Sequence, residues 1–470
     1  MSLPNEHSRR VFMQRAILAS VLAAGGAGTL SACASGGSSS GSSTGEGEVS
    51  TDNPFGVTPD APLEVVIFKG GYGDDYAKFH EELYKKQFAD AEITHAGITD
   101  IRQQLQPRFN GGNPPDVIDN SGAEKLPIST LADTGQLADL TALFDAESID
   151  GGTVRDGVLP VAIEGGLYDD KPLVLNYALE CYGMWYDKAL FDSKGWALPE
   201  TWADFMALCE EIKGAGIAPM AHQGKYPYYI QQFLMDLAVK HGGQEVAFAI
   251  DSLEPDAWRS ESVMAAAEAL AEVKAKGYML DGTEGLDHIQ SQTAWNEGKA
   301  AFIPCGSWLE NEQKSVAPAE FVTTVAPTPL LDGAKLPYGS TRISAAEAFI
   351  VPSKAKNVAG GMEFLRIMLS KEGASKFTEL TAAPTVVKDS VGGLTLTPAA
   401  ESVQALIESG GDDNWNYYYD VWYTPMDPKI QSAVAELAAG RLDPAGFCDA
   451  AQTAADEAAA DPTTNKRTRG

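Results

Sequence analysis

Leu63-Glu64-Val65-Val66-Ile67-Phe68 is a short run of strand formers that breaks at Gly70-Gly71, which predicts a first β-strand. Asp74 follows as a candidate helix cap. Tyr76, Phe79, Leu83 and Phe88 then recur at near-helical spacing, so one face of the predicted helix is apolar. A second strand is expected near Ile93, then a helix with Ile101 and Leu105 that should kink or end near Pro107. Pro115-Asp116-Val117-Ile118-Asp119-Asn120 supplies a third strand with a polar end. This β-α-β-α-β rhythm implies a mostly parallel sheet covered by helices. Open α/β sheets bind ligands beyond the carboxyl ends of their strands. That places Tyr72 and Asp75, after the first strand, and Asn120 and Ser121, after the third, among the candidate ligand contacts.

The pattern changes past Pro172. All eight Trp residues lie from Trp185 onward, and Ala-rich helical stretches such as Ser262 to Lys276 dominate. A second α/β lobe is expected to start near Asn176. The β-branched run Val322-Thr323-Thr324-Val325-Ala326-Pro327 reads as a chain crossing back, and Ala348-Phe349-Ile350-Val351-Pro352 as a further strand. After Thr463 the chain is polar and basic and is expected to fray.

The length of 470 residues suffices for two lobes with separate cores. Sixty-five acidic against thirty-five basic residues leave a formal charge of −30. Phosphate binding needs a surplus of Lys and Arg, so a nucleic-acid partner is not expected, nor is a polybasic reader of membrane surfaces. No apolar stretch reaches the roughly 18 residues of a membrane span.

The N-terminus carries targeting information. Ser8-Arg9-Arg10-Val11-Phe12-Met13-Gln14, with Arg15 and the short apolar run Ala16 to Ala24, resembles a twin-arginine export signal. Leu30-Ser31-Ala32-Cys33 resembles the bacterial lipobox, which implies lipidation of Cys33 and removal of residues 1–32. That cleavage takes away three arginines and one glutamate and leaves the mature chain near −32. Residues 33–60 are mostly Gly, Ser, Thr and acidic residues with almost nothing apolar, and are expected to form a flexible tether. Gly37-Ser38-Ser39-Ser40-Gly41 matches the nucleophile-elbow pattern, but an elbow needs a strand before it and a helix after it, so the match is rejected.

Catalytic chemistry finds little support. The six His residues show no metal-ligand spacing, and the chain has no GxxxxGK[ST] loop. Gly70-Gly71-Tyr72-Gly73 lacks the dinucleotide pattern. The adjacent pairs Asp74-Asp75 and Asp412-Asp413 leave an exported glycoside hydrolase as the alternative reading. No cofactor and no metal are expected. Cys181, Cys209, Cys305 and Cys448 lack CxxC spacing and are open to being either bridges or buried thiols.

Binding has more positive content. Trp415, Tyr417, Tyr418, Tyr419, Trp422 and Tyr423 put six aromatics into nine residues, where the chain's 9% average predicts fewer than one. Asp412, Asp413, Asn414 and Asn416 lie before and among them, and Tyr226-Pro227-Tyr228-Tyr229 is a second cluster. Aromatic faces stack on the C–H faces of sugar rings while carboxylates and amides hydrogen-bond hydroxyls, so the pattern reads as a carbohydrate platform. Packing between helix and sheet is the alternative for each ring alone.

Gly183-Met184-Trp185-Tyr186-Asp187-Lys188-Ala189-Leu190-Phe191, then Gly195 and Pro199-Glu200-Thr201-Trp202, resembles the extracellular solute-binding proteins of carbohydrate ABC transporters. Gly298-Lys299-Ala300-Ala301 with Gly306-Ser307-Trp308 resembles their second signature. Asp187 departs from the Asn usual there, a change expected to affect local capping. Gly224 to Tyr229, Gly282 to Trp295 and Phe302 to Glu312 resemble the binding proteins for N-acetylglucosamine and N,N′-diacetylchitobiose.

The resemblance implies a two-lobed periplasmic-binding-protein-like α/β fold. Each lobe would be a mostly parallel sheet covered by helices, joined by a hinge, with no catalysis. Residues 61–175 and 326–383 would form the N-terminal lobe, 176–325 and 384–463 the C-terminal lobe, and 464–470 a tail. It assigns Glu180 to sugar hydroxyls, Tyr228 and Trp308 to ring stacking, and Tyr226 to a bond beside Tyr228. Asn120 and Ser121 fall at the polar end of the third strand, and Trp415, Tyr418 or Trp422 supplies a C-terminal aromatic. Arg342 is a further donor, with pairing to Glu347 as the structural alternative. A sugar, the ABC permease and, through the lipid alone, the outer face of the cell membrane are the expected partners of a monomer.

Overall fold

The computed structural model describes residues 46–122 and 124–469; the expected signal, Cys33 and the first part of the tether lie outside the described residues. The first five strands are β1 (Leu63–Phe68), β2 (Ile93–Ile98), β3 (Val117–Asp119), β4 (Leu167–Tyr168) and β5 (Lys171–Pro172). The others are β6 (Leu175–Asp187), β7 (Ala218–Met220), β8 (Ala300–Gly306), β9 (Thr323–Ala326) and β10 (Ile343–Ile350). Eight of them form one sheet in the order β2-β1-β3-β10-β6-β8-β7, with β9 also paired to β6.

The β1–β2, β1–β3 and β7–β8 ladders are parallel. The ladders through the middle of the sheet are antiparallel, because β6 is a 13-residue strand shared by both lobes. Its first part pairs with β10, Glu180 opposite Ser344, and its second part with β8 and β9, Trp185 opposite Ile303 and Val325. The sheet is therefore mixed where a mostly parallel one was expected. Side chains alternate along β6. Leu175, Tyr177 and Leu179 enter the first lobe's core beside Tyr76, Phe349 and Phe377. Met184 and Tyr186 join the second lobe's core with Phe205, Phe233, Trp258, Phe302 and Phe447.

Local expectations are refined in several places. Helix Asp75–Gln87 buries Tyr76, Ala77, His80, Leu83 and Tyr84, so its inner face is rotated away from Phe79. Asp74 precedes that helix without capping it; its carboxylate binds Lys69, Lys78 and His95 instead. Helix Ile101–Asn110 continues three residues past Pro107. Asp187 caps helix Lys188–Lys194 through Ala189 N at 3.0 Å and also accepts from Val322 N at 3.0 Å.

The lobe limits differ from those read in the sequence. β9 remains in the second lobe, and the chain returns through Thr341 and Arg342 into β10 rather than at 326. Val386 and Val387 still belong to the first lobe's core, while Ala399 is the first residue of this stretch in a second-lobe cluster. Phe55 and Val57 are buried in the first lobe, so the folded body begins inside the stretch expected to be tether. The tail is packed rather than frayed. Asn465 Nδ2 donates to Asp169 at 3.0 Å, and Arg469 Nη1 pairs with the buried Asp251 at 2.8 Å. Arg467 lies over the rings of Tyr168 in one lobe and Trp422 in the other, 4.7 and 5.0 Å from their centroids. Cys181, Cys209, Cys305 and Cys448 are buried free thiols. Among the described residues, no helix is long and apolar enough to cross a membrane.

Candidate functional site between the lobes

Strand alternation turns Glu180 and Tyr182 to the face of β6 opposite the Tyr177 core. The Tyr182 hydroxyl donates to Glu180 Oε2 at 2.9 Å, and Ser344 Oγ stands 3.5 Å away. Burial pushes the Glu180 carboxyl up to about 7. Arg342, where the chain re-enters the first lobe, holds its guanidinium 4.8 Å from the Tyr182 ring centroid and 3.8 Å from that of Tyr417. Its Nε donates to Asn416 Oδ1 at 2.8 Å, its Nη1 to the Tyr417 hydroxyl at 3.2 Å, and its Nη2 stands 3.5 Å from Asp420. Arg342 thus pairs with Asp420, while Glu347 faces Asp119.

The first lobe supplies Tyr72, buried and edge-on to Phe377 at 5.4 Å, whose hydroxyl has no partner. Burial, then the charges of Glu180 and Glu347, push that phenol well above its usual range. Asp119, fully buried, and Glu347, half-buried, form a carboxyl pair. Burial raises both, Asp119 to about 6, and the Tyr76 hydroxyl donates to Asp119 at 3.0 Å.

The second lobe supplies aromatics. Tyr228 and Tyr229 open helix Tyr228–Gly242, and Trp308 follows β8. The Trp308 ring centroid lies 5.5 Å from Tyr182, 6.3 Å from Tyr228 and 6.1 Å from Tyr229, and Nε1 donates to the Tyr229 hydroxyl at 3.3 Å. Gly306 makes that position possible, since a Cβ there would stand 2.0 Å from the indole. Trp308 touches the core clusters of both lobes, and Glu312 Cγ comes within 3.3 Å of where a Cβ on Gly71 would be. The lobes meet around these groups.

Glu180, Arg342 and Trp308 thus gather around Tyr182 where the lobes meet, with Tyr228 beside Trp308 and Tyr72 close enough to feel the Glu180 charge. The other expected contacts are placed differently. Asn120 is fully buried and spends both amide atoms on Leu126, donating at 3.0 Å and accepting at 2.8 Å. Ser121 bonds Asp119 and Ala348 N. Both hold the segment that follows β3. Asp75 has a 78% exposed side chain paired with Lys78. Trp415 is core, with its Nε1 bonded to Asp236 at 3.1 Å. Tyr226 is 45% exposed and packs on His288.

Tyr418 and Trp422 lie at a separate part of the lobe interface. The Tyr418 hydroxyl donates to Glu164 of the first lobe at 3.0 Å. Trp422 borders a cavity of about 720 Å³ lined also by Tyr168, Leu173, Met426 and the tail residues Asn465 and Arg467. Neither Glu180 nor Trp308 lines it. Sequence reasoning did not single out Tyr182, Tyr229 or Asp420 as site residues. Tyr182 was legible as the residue two beyond Glu180, on the same strand face. Asp420 carries no sequence signal, because its partner Arg342 is remote in the chain.

The profile of the bacterial extracellular solute-binding proteins matches residues 70–375. The chain is 36% identical over 425 residues, 90% of each chain, to the diacetylchitobiose binding protein NgcE of Streptomyces coelicolor. It is 23% identical over 314 residues to the multiple sugar-binding protein of Streptococcus mutans, covering 65% of this chain and 70% of that one. In fold it resembles apo RafE from Streptococcus pneumoniae, with TM-score 0.68 and 17% identity over 85% of this chain and 98% of the other. It also resembles a chitin oligosaccharide binding protein, with TM-score 0.67 and 18% identity over 84% of this chain and 98% of that one. A matched profile and a relative aligned along nearly the whole of both chains, with two lobes that meet around Trp308, lead to one conclusion: the chain belongs to the bacterial extracellular solute-binding proteins.

Proposed function

We propose that this protein is the exported receptor of a carbohydrate ABC importer, capturing N-acetylglucosamine or chitobiose-type oligosaccharides between its lobes and handing them to the permease. The alignment with the diacetylchitobiose binding protein carries this reading. The residues gathered where the lobes meet support it chemically. Trp308 and Tyr228 offer faces for sugar rings, Glu180 offers an acceptor for hydroxyls, and Tyr72 offers a buried hydroxyl without a partner. A sugar bound to both lobes favours the closed arrangement through its differential contacts, and release follows when the lobes part. Cys33 would carry the lipid that tethers the chain to the outer face of the membrane. Titration calorimetry with N-acetylglucosamine, diacetylchitobiose, maltose and cellobiose tests the sugar class. Heat with the acetamido sugars is expected, at micromolar or tighter affinity, roughly −8 kcal/mol or more. Absence of heat with all four ends the proposal.

A further inference from the structure

Helix Pro444–Ala460 packs in the second lobe, and the tail that follows it returns to that lobe at Arg469. Between those two points the chain crosses to the first lobe. The element that receives it is the hairpin of β4 and β5. Its two-residue turn, Asp169-Asp170, has φ of 49° and 60°, a left-handed conformation that aspartate tolerates and that suits a tight hairpin. Asn465 Nδ2 donates to Asp169 in this turn at 3.0 Å, and Arg467 Nη1 donates to Leu167 O. The Arg467 guanidinium lies over the Tyr168 ring of the hairpin and over the Trp422 ring of the second lobe. Its backbone N–H donates to the Tyr423 hydroxyl at 3.1 Å. Arg469 fastens the far side: its backbone N–H donates to Ser252 Oγ at 2.9 Å, and its guanidinium pairs with Asp251 and lies 4.6 Å from the Tyr418 ring centroid.

Arg467 is therefore one side chain held by both lobes. Around it the lobes stand apart. The cavity of about 720 Å³ is lined from the first lobe by Leu137 and Leu173 and from the second by Met426 and Ala458, with Arg467 among its lining residues. The tail spans that gap instead of filling a packed seam. A guanidinium is drawn to a ring only at short range, so it keeps both rings only while their separation is held. A parting of the lobes that carries the hairpin away from Trp422 must break one of these contacts. We propose that residues 465–469 form a strap across the lobes, with Arg467 as its clasp, which favours the joined arrangement and slows release of a bound ligand. The effect on release rests on the sugar reading above; the effect on the lobes does not.

Single-molecule energy transfer tests the strap without any ligand. Dyes on Glu82→Cys in the first lobe and Glu211→Cys in the second, both exposed positions, count the chains whose lobes have parted. Cys181, Cys209, Cys305 and Cys448 are buried, and a Cys33→Ala background removes the remaining thiol. Arg467→Ala, and Asn465→Ala with Arg467→Ala as a second variant, should raise the ratio of parted to joined chains about three- to tenfold. Stopped-flow dilution of the diacetylchitobiose complex, followed by tryptophan fluorescence, should show release faster by a similar factor. Melting curves establish that each variant is folded, and one folded variant suffices. A folded variant with the wild-type ratio of parted to joined chains overturns the strap. A changed ratio with an unchanged release rate overturns its part in holding the ligand. A wild type that binds no sugar overturns the sugar reading and leaves the energy-transfer result to decide the strap.

Discussion

Glu180→Gln isolates one inter-lobe carboxylate whose ionisation burial opposes. Glu180 is 8% exposed and receives the Tyr182 hydroxyl at 2.9 Å, while the nearby Arg342 is engaged by Asn416, Tyr417 and Asp420. Burial outweighs these contacts and raises the carboxyl from 4.5 to about 7. The folded chain therefore holds this proton more tightly than the unfolded chain does. The ionisation cost is absent below about pH 4.5, grows as pH rises, and is complete above about pH 7. At about 1.36 kcal/mol per pH unit, the full window corresponds to roughly 3 kcal/mol, an upper bound. Asp119, Asp251 and Asp427, each raised to about 6 chiefly by burial, act with the same sign, so the wild type keeps a pH slope whatever happens at Glu180. The difference between the two chains is the informative quantity. Urea unfolding of both without ligand at pH 5 and pH 8 should show the wild type losing up to roughly 3 kcal/mol more over that interval. Parallel losses would refute the reasoning.

Trp308→Ala should weaken diacetylchitobiose binding by about 1–3 kcal/mol in a calorimetric titration. Unchanged affinity in a variant that melts normally would show that the indole does not meet the ligand. Arg469→Ala removes the cation beside the buried Asp251 and should destabilise the chain by about 1–3 kcal/mol at pH 8, discounted for the partial exposure of Arg469. Asp251 is raised to about 6 by burial, so the cost should shrink at pH 5, where it is protonated; equal losses at both pH values would contradict this. Cys33→Ala should move the exported chain from the membrane fraction to the soluble one on fractionation. Continued membrane attachment would exclude Cys33 as the anchor.

Gly306→Ala probes the support of the same indole. The added methyl would stand 2.0 Å from the ring, so Trp308 must move, and affinity should fall toward that of Trp308→Ala, as read by the same titration. Wild-type affinity would mean that the ring's position is immaterial to binding.

Short-range pattern was enough for β1, for the alternation of strands and helices before Pro115, and for the two aromatic clusters, because strand and helix periodicities are written locally. It was also enough to mark Glu180, Tyr228, Trp308 and Arg342 as residues to follow, through the segments that resemble sugar receptors. Tertiary structure decided the rest. The dense aromatic window from Trp415 to Tyr423 looked uniform, yet Trp415 faces Asp236 in the core, Tyr417 stacks on Arg342, and Trp422 borders a cavity. The charged tail looked solvated, yet Arg467 and Arg469 find rings and a carboxylate on segments remote in the chain. Hydrophobic spacing shows which face of an element is buried but not what buries it. Partners such as Asp420 for Arg342, or β10 for the first half of β6, are set only when distant segments pack together.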